Sequence, residues 1–141
     1  MNVVPGTGSS FLRASVYGRQ RWNELTYSTT ERVRARRLDE MLDDIIPDVS
    51  NPRLYLKLDT QGYDVEVFFS AGDRIIDFVG MQSELSLLSV YEEMPHMLTA
   101  LAVYQRSGFE VTGIFPVTRE RCTGRLVELD CVMVRASRLG R

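Results

Sequence analysis

The spacing of hydrophobic residues predicts helices and strands from residue 30 onwards and little regular structure before it. Residues 1–29 are rich in glycine, serine and threonine and show no sustained period, which predicts loop with at most short strands. Residues 30–36 alternate in the way an exposed strand does. Apolar residues then recur at helical spacing over 38–46, and Pro47 predicts the end of that helix.

The next stretch predicts a strand, a tight loop, a helix and a second strand. Residues 53–59 are β-prone and finish in an aspartate, the loop 60–62 contains glycine, and 64–69 has a helix-like pattern. The mainly apolar run 74–85 predicts a strand buried on both faces, as in a parallel sheet, and Glu84 stands at its end.

The last part of the chain predicts one helix and then two strands without a helix between them. Apolar residues keep helical spacing over 91–107, Gly108 is placed to end that helix, and 109–117 and 124–135 read as strands. This order predicts an α/β fold with a mostly parallel sheet and an antiparallel final strand pair. The chain then divides into an irregular N-terminal segment, an α/β part and a frayed tail, at 1–29, 30–136 and 137–141.

The composition is typical of one soluble globular domain. The 141 residues are 44% hydrophobic and 26% charged, which is enough for a single core. The formal net charge of -2 predicts no binding to nucleic acid or to an anionic membrane surface. No run approaches the roughly 20 apolar residues of a membrane span, and no signal-peptide pattern begins the chain, so we expect a cytoplasmic protein.

Two cysteines and one histidine leave little ligand chemistry. Cys122 and Cys131 cannot form a four-ligand zinc site, and His96 is the only histidine, so no metal centre is expected. Buried free thiols are expected, although paired strands would bring the two cysteines close. His96 follows Pro95 at the start of a predicted helix, where a surface position is expected rather than a catalytic base.

Two acidic residues at strand ends are the main candidates for chemistry. In open α/β sheets, ligands bind beyond the carboxyl ends of the strands, where Asp59 and Glu84 both lie. On neighbouring strands the two carboxylates would share one crevice and could position a hydroxyl, accept its proton or bind a cation. The alternative is that each caps a following helix or loop N–H group, as acids at strand ends often do. Lys57 lies on the same face as Asp59, where it either pairs with Asp59 or extends its ammonium into solvent.

Several segments resemble one family, and they occur in the family's order. Residues 56–67, Leu-Lys-Leu-Asp-Thr-Gln-Gly-Tyr-Asp-Val-Glu-Val, are similar to the central motif of the FkbM-type methyltransferases. In that motif a strand delivers lysine and aspartate, a glycine follows, and an acidic residue opens the helix. Residues 36–42 resemble the segment before the motif, and 79–86, 108–113 and 128–134 resemble the family's next strand, its Gly-Phe boundary and its closing strand.

The resemblance implies an S-adenosylmethionine-dependent O-methyltransferase with a partial Rossmann-like sheet, acting on a hydroxyl of a sugar or another natural product. Such an enzyme aligns the acceptor oxygen with the methyl carbon and removes the hydroxyl proton. By position in the motif, Asp59 would lie beside the methyl-transfer site and Lys57 would orient it. Glu84 and Gln82 would contact the small-molecule or glycan acceptor, and no residue is assigned to the cofactor.

The chain departs from the family where the cofactor is bound. The glycine-rich loop after the first strand and the acid after the second have no counterpart, so the resemblance covers the C-terminal part of the domain. We therefore expect activity only when the cofactor-binding half is supplied. We also expect an apolar strand edge that a second copy or a missing N-terminal segment covers. The alternative is a non-catalytic α/β remnant that binds a partner or a glycan through the same crevice.

Overall fold

The computed structural model describes residues 1–47 and 50–138, and it is a mixed α/β structure. The strands are β1 (Asn2–Val3), β2 (Thr29–Thr30), β3 (Leu54–Leu58), β4 (Phe78–Ser86), β5 (Phe109–Arg119) and β6 (Leu126–Arg135). The helices are α1 (Val16–Arg21), α2 (Leu38–Ile45), α3 (Asp64–Phe69) and α4 (Met97–Arg106). Short 3-10 helices span Asn23–Thr26, Gly72–Asp77 and Ala136–Arg138.

The main sheet has the strand order β3-β4-β6-β5, and β1 and β2 form a separate antiparallel pair. Only β3 and β4 run parallel among the described strands of the main sheet, so the prediction of a mostly parallel sheet is wrong. The reason lies in the polar link 120–125, which is too short for a crossover and returns the chain antiparallel beside β5. β6 then inserts between β4 and β5, and the predicted antiparallel final pair is confirmed.

The main core lies between the sheet and the helices that follow β3 and β4. Met81 and Met133 face each other across β4 and β6, and both are fully buried. The ring of Phe68 from α3 lies 4.9 Å from the ring of Tyr104 on α4 and 6.1 Å from that of Phe109 on β5. These contacts fix both helices on one face of the sheet, because close-packed aromatic side chains bury the largest apolar area.

The N-terminal segment forms a second packed layer instead of the predicted loop. α1 begins after Ser15, whose hydroxyl oxygen accepts a hydrogen bond from the Gly18 N–H at 2.9 Å and donates to the Ser89 carbonyl at 2.6 Å. A second apolar cluster, separate from the main core, joins this segment to the sheet through Val4, Leu25, Val90, Tyr91 and Val127. α1 has only six residues, too few for its hydrophobic period to stand out in the sequence.

Three predicted elements differ from the observed ones. Residues 31–37 are irregular and exposed, because only Thr29–Thr30 find a partner strand in β1. The helix predicted over 91–107 begins at Met97, after Pro95 and His96. β4 begins at Phe78, and the preceding residues form a 3-10 helix.

Other predictions hold at the level of single residues. α2 ends at Ile45, just before Pro47, and Gly108 follows α4 with φ 89°, as expected for a helix terminator. Both cysteines are free, and Cys131 is buried, but Cys122 lies exposed in the polar link, contrary to expectation. None of the described helices is long and apolar enough to cross a membrane. Residues 136–138 form a 3-10 turn, and the rest of the predicted tail lies outside the described residues.

Gly18 provides a test of how α1 is attached. An added Cβ atom at Gly18 would overlap the carbonyl oxygen of Val90, so α1 and that backbone touch without room for a side chain. A Gly-to-Ala change inside an ordinary helix stabilises it by about 1 kcal/mol. We expect Gly18→Ala instead to lower the free energy of unfolding by roughly 2 kcal/mol, because the helix must move off its contact.

Chemical denaturation of wild type and variant measures this difference. Gln20→Ala is the matched control, since Gln20 is exposed on the same helix. A Gly18→Ala protein that is as stable as wild type, or more stable, would mean that the contact is not rigid.

Candidate active site

The parallel pairing of β3 and β4 brings the two predicted acids together. Leu58 stands in register with Ser83, so the next residues along the two strands are Asp59 and Glu84. The side-chain amide of Gln61 donates to Asp59 Oδ1 at 3.2 Å and to Glu84 Oε2 at 3.4 Å. β4 continues to Ser86, so Glu84 lies within the strand rather than at its end. One neutral amide group thus connects two carboxylates at the carboxyl end of the parallel pair.

Lys57 forms an ion pair at the outer side of this site. Its ammonium lies 3.0 Å from Asp59 Oδ2, and the hydrogen bond to Asp59 raises the pKa of Lys57. The Lys57 and Asp59 side chains are 58% and 44% exposed, so this bridge adds little to stability. It still orients the Asp59 carboxylate, whose other oxygen faces Gln61.

Gln82 lies beside Lys57 in the strand register but away from the pocket described below. It shares a face of β4 with Glu84, two residues further from the carboxyl end of the strand. The structure therefore brings Lys57, Asp59 and Glu84 together, and it leaves Gln82 as a half-buried neighbour on the sheet surface.

The loop between β3 and α3 is held by the buried carboxylate of Asp64. Asp64 Oδ1 accepts from the Thr60 N–H at 2.8 Å and from the Thr60 hydroxyl at 2.5 Å. Asp64 Oδ2 accepts from the Ser83 hydroxyl at 2.7 Å, and Ser83 in turn lies 3.1 Å from the Tyr104 hydroxyl. A carboxylate with three donors is well satisfied although it is buried, and it ties the loop to β4 and α4.

The loop itself turns through two left-handed residues. Gln61 has φ 54° and Gly62 has φ 89°. A Cβ atom at Gly62 would lie 3.1 Å from Met94 Cβ and 3.3 Å from a Leu12 methyl, so the positive φ favours glycine and any side chain would also crowd both neighbours. The Gln61 carbonyl accepts a hydrogen bond of 2.7 Å from the Ser10 hydroxyl. The N-terminal segment therefore packs directly on the loop that carries Gln61.

A pocket of about 220 Å³ opens beside Gln61 and Glu84. Glu128 from β6 lines its floor with Glu84, and Glu24, Trp22 and Tyr91 form part of its wall. Thr7 and Gly8 complete it from the N-terminal side. Among the described lining residues there are three glutamates and no lysine, arginine or histidine, so the pocket is strongly acidic.

The electrostatics of the pocket raise the proton affinity of its groups. The pKa of Glu84 is raised from 4.5 to about 7, first by burial and then by the charges of Glu128, Asp59, Asp130 and Asp64. Burial also raises the pKa of Glu128, and it raises the pKa of the Tyr91 phenol. A carboxylate that titrates near neutral pH is suited to accept a proton from a bound group.

Four residues of this site were not predicted as functional from the sequence. Gln61 and Asp64 lie inside the motif segment but looked like loop and helix-start residues, and Tyr91 was assigned to a helix. Glu128 alternates with apolar residues on β6, and its burial depends on the N-terminal layer. An acidic residue between apolar residues inside a predicted strand was the one signal that could have marked it.

Fold and site together define an α/β protein with an acidic pocket at the carboxyl ends of a parallel strand pair. The family model of the methyltransferase FkbM domain matches residues 2–111, which is most of the chain, and the chain belongs to this family. The match includes the N-terminal segment and both strands that carry Asp59 and Glu84. No curated protein and no solved structure matches the chain.

Family membership suggests S-adenosylmethionine as the cofactor, and the pocket does not fit that whole molecule. Its volume of about 220 Å³ is below the roughly 300–1,000 Å³ of pockets that enclose ligands of this size. Its lining takes Thr7 and Gly8 from the segment after β1, a strand outside the main sheet, whereas nucleotide-binding sheets place a glycine-rich loop after a strand of the parallel sheet itself. The carboxylates and aromatic rings leave room for a smaller group that can donate hydrogen bonds.

The raised proton affinity of Glu84 predicts a pH dependence of stability. Between about pH 4.5 and pH 7 the folded protein holds a proton on Glu84 that the unfolded chain has released. The contribution of Glu84 to the free energy of unfolding is therefore fully present below about pH 4.5 and is lost as the pH rises to 7. The free energy of unfolding falls by at most about 3 kcal/mol over this range.

Denaturation of wild type and Glu84→Gln at pH 5 and pH 8 measures this contribution. We expect the stability of wild type to fall more between the two pH values than that of Glu84→Gln. The exposed Glu66 of α3 supplies the control variant Glu66→Gln, which should behave as wild type. Equal pH dependence in wild type and Glu84→Gln would show that Glu84 has an ordinary proton affinity.

Proposed function

We propose that the protein is an S-adenosylmethionine-dependent O-methyltransferase whose acceptor is a hydroxyl of a sugar or another natural product. The observation that carries this proposal is the position of Glu84 in the acidic pocket, with a pKa of about 7, in a chain of the FkbM methyltransferase family. Methylation of an alcohol needs a group that takes the hydroxyl proton at neutral pH, and Glu84 meets that need.

The pocket residues divide the work on the acceptor. The Glu84 carboxylate accepts a hydrogen bond from the acceptor hydroxyl and then its proton. The carboxylate of Glu128 accepts from a neighbouring hydroxyl, and Trp22 packs against the apolar face of a sugar ring, as aromatic side chains do with amphipathic ligands. Asp59, fixed by Lys57, holds the outer side of the site.

The cofactor, in this proposal, is bound outside the pocket. β3 pairs with β4 along one edge, and its other edge is unpaired within the described residues. Tyr55 on β3 is 54% exposed, so this edge offers both backbone hydrogen-bonding groups and apolar surface. We propose that a second copy of the chain, or a further N-terminal segment, covers the edge and completes a Rossmann-like sheet with the cofactor site.

The chemistry is tested by methyl transfer from labelled S-adenosylmethionine to a panel of sugars and natural-product alcohols. The assay uses the oligomeric form of the protein that binds S-adenosylhomocysteine. We expect a labelled methyl ether, and we expect Glu84→Gln to lower turnover by about 10²–10⁴-fold, the usual contribution of a general base. Glu66→Gln is the control and should keep full turnover. Full turnover in Glu84→Gln would remove Glu84 from the reaction. A chain that binds a glycan but transfers no methyl group would favour the non-catalytic alternative.

The cofactor site is tested by calorimetric titration with S-adenosylhomocysteine at protein concentrations where light scattering gives the solution mass. We expect saturable binding where the chain is dimeric and none where it is monomeric, because a single chain leaves the edge of β3 uncovered and the proposed cofactor site incomplete. A stable monomer without exposed apolar surface, or a monomer that binds S-adenosylhomocysteine, would contradict the proposed completion of the site.

A further inference from the structure

We propose that Gln61 is a positioning residue whose side-chain amide sets the protonation of Glu84, and that Tyr91 and the N-terminal segment control the orientation of this amide. The proposal concerns the regulation of the site. The effect on the protonation of Glu84 does not depend on the proposed function, but its importance for catalysis does. Its physical basis is a set of contacts around one amide group.

The backbone of Gln61 is fixed from both sides. Its left-handed conformation, with φ 54°, is unfavourable for a residue with a side chain and needs support from its surroundings. The Ser10 hydroxyl donates to the Gln61 carbonyl at 2.7 Å, and Asp64 holds the preceding residue, Thr60, by two hydrogen bonds. The side chain is therefore presented from a rigid base towards the carboxylates.

The amide nitrogen of Gln61 faces two acids. It donates to Asp59 at 3.2 Å and to Glu84 at 3.4 Å, and it stands between charges that would otherwise repel each other. A donor favours the ionised form of Glu84, so Gln61 opposes the effect of burial. The other charged or titratable groups around Glu84 are Lys57 and Asp59 at the end of β3, Asp64 on α3, Asp130 and Glu128 on β6, and Tyr91.

The amide oxygen of Gln61 faces Tyr91, whose hydroxyl has one proton to donate and lies near two acceptor atoms. The Tyr91 oxygen lies 2.9 Å from Gln61 Oε1 and 2.9 Å from the Gly8 carbonyl oxygen. If the amide is reversed, its nitrogen donates to Tyr91, the Tyr91 proton is free for Gly8, and Oε1 faces Glu84. That second arrangement gives Glu84 a hydrogen bond only when Glu84 carries a proton.

The two arrangements couple the amide orientation to the proton on Glu84. Ionised Glu84 and ionised Asp59 both favour the arrangement in which the amide nitrogen of Gln61 faces them, because neither carboxylate can donate to an amide oxygen. Tyr91 and Gly8 together favour the reversed one, since it satisfies both acceptors. The strength of the base therefore depends on contacts with residues 8–10, which lie about 50 positions before Gln61 in the chain.

The test is a carbon-detected NMR titration of the Glu84 carboxyl group in the 141-residue chain, without cofactor or acceptor. We expect Gln61→Met, which keeps the side-chain length and removes the donor, to raise the midpoint of Glu84 by about one pH unit. Tyr91→Phe, which removes the partner that favours the reversed amide, should shift the midpoint in the opposite direction, downwards, and by less. Gln105→Met is the control, because Gln105 is exposed on α4 and should leave the midpoint unchanged.

A merely structural role for Gln61 would lower the melting temperature of Gln61→Met without moving the Glu84 midpoint. An unchanged or lowered midpoint in a folded Gln61→Met protein overturns the proposal. Where Gln61→Met does not fold, an unchanged or raised midpoint in Tyr91→Phe overturns it. The titration uses no methyl transfer, so its result is independent of whether the proposed activity is found.

Discussion

The carboxylate of Asp64 is the interaction on which the site depends. It is buried at the start of α3, and it accepts hydrogen bonds from the Thr60 backbone, the Thr60 hydroxyl and the Ser83 hydroxyl. Ser83 extends this network to Tyr104, so one charge connects the end of β3 to α3, β4 and α4. Removal of one partner would leave a buried group unsatisfied, which costs more than the bond contributes. The loop that presents Gln61 is therefore rigid.

The carboxylates in and around the acidic pocket lower the stability of the folded protein. Glu84 stands in register with Asp130 across the antiparallel pair of β4 and β6, and like charges in that position repel each other. Burial of Glu84 and Glu128 adds a desolvation cost, which protonation relieves. A core chosen for stability alone would place apolar residues here. Carboxylates that are costly to ionise are instead what a proton-accepting site requires.

The elements that were predictable from the sequence are those with an apolar pattern and a clear boundary signal on either side. β3, α3 and β6, and the end of α2 before Pro47, follow from such patterns. The order of strands does not follow from them, because it depends on the length of the link after β5 and on packing between distant segments. The juxtaposition of Asp59 and Glu84 was predictable from the rule for strand ends. The role of Tyr91 was not, because Tyr91 and its partner Gly8 are 83 positions apart in the chain.

The N-terminal layer shows why local patterns missed half of the pocket wall. Trp22, Glu24 and Leu25 face the pocket from a 3-10 helix and its cap, elements too short to have a period. Their positions depend on α1, which packs so closely against the Val90 carbonyl that only glycine fits at position 18. The loop between β3 and α3 lies in the middle of the matched family region and this layer at its start, and the two meet at Gln61. The pocket therefore requires long-range contacts, because its lining comes both from the N-terminal segment and from β4 and β6.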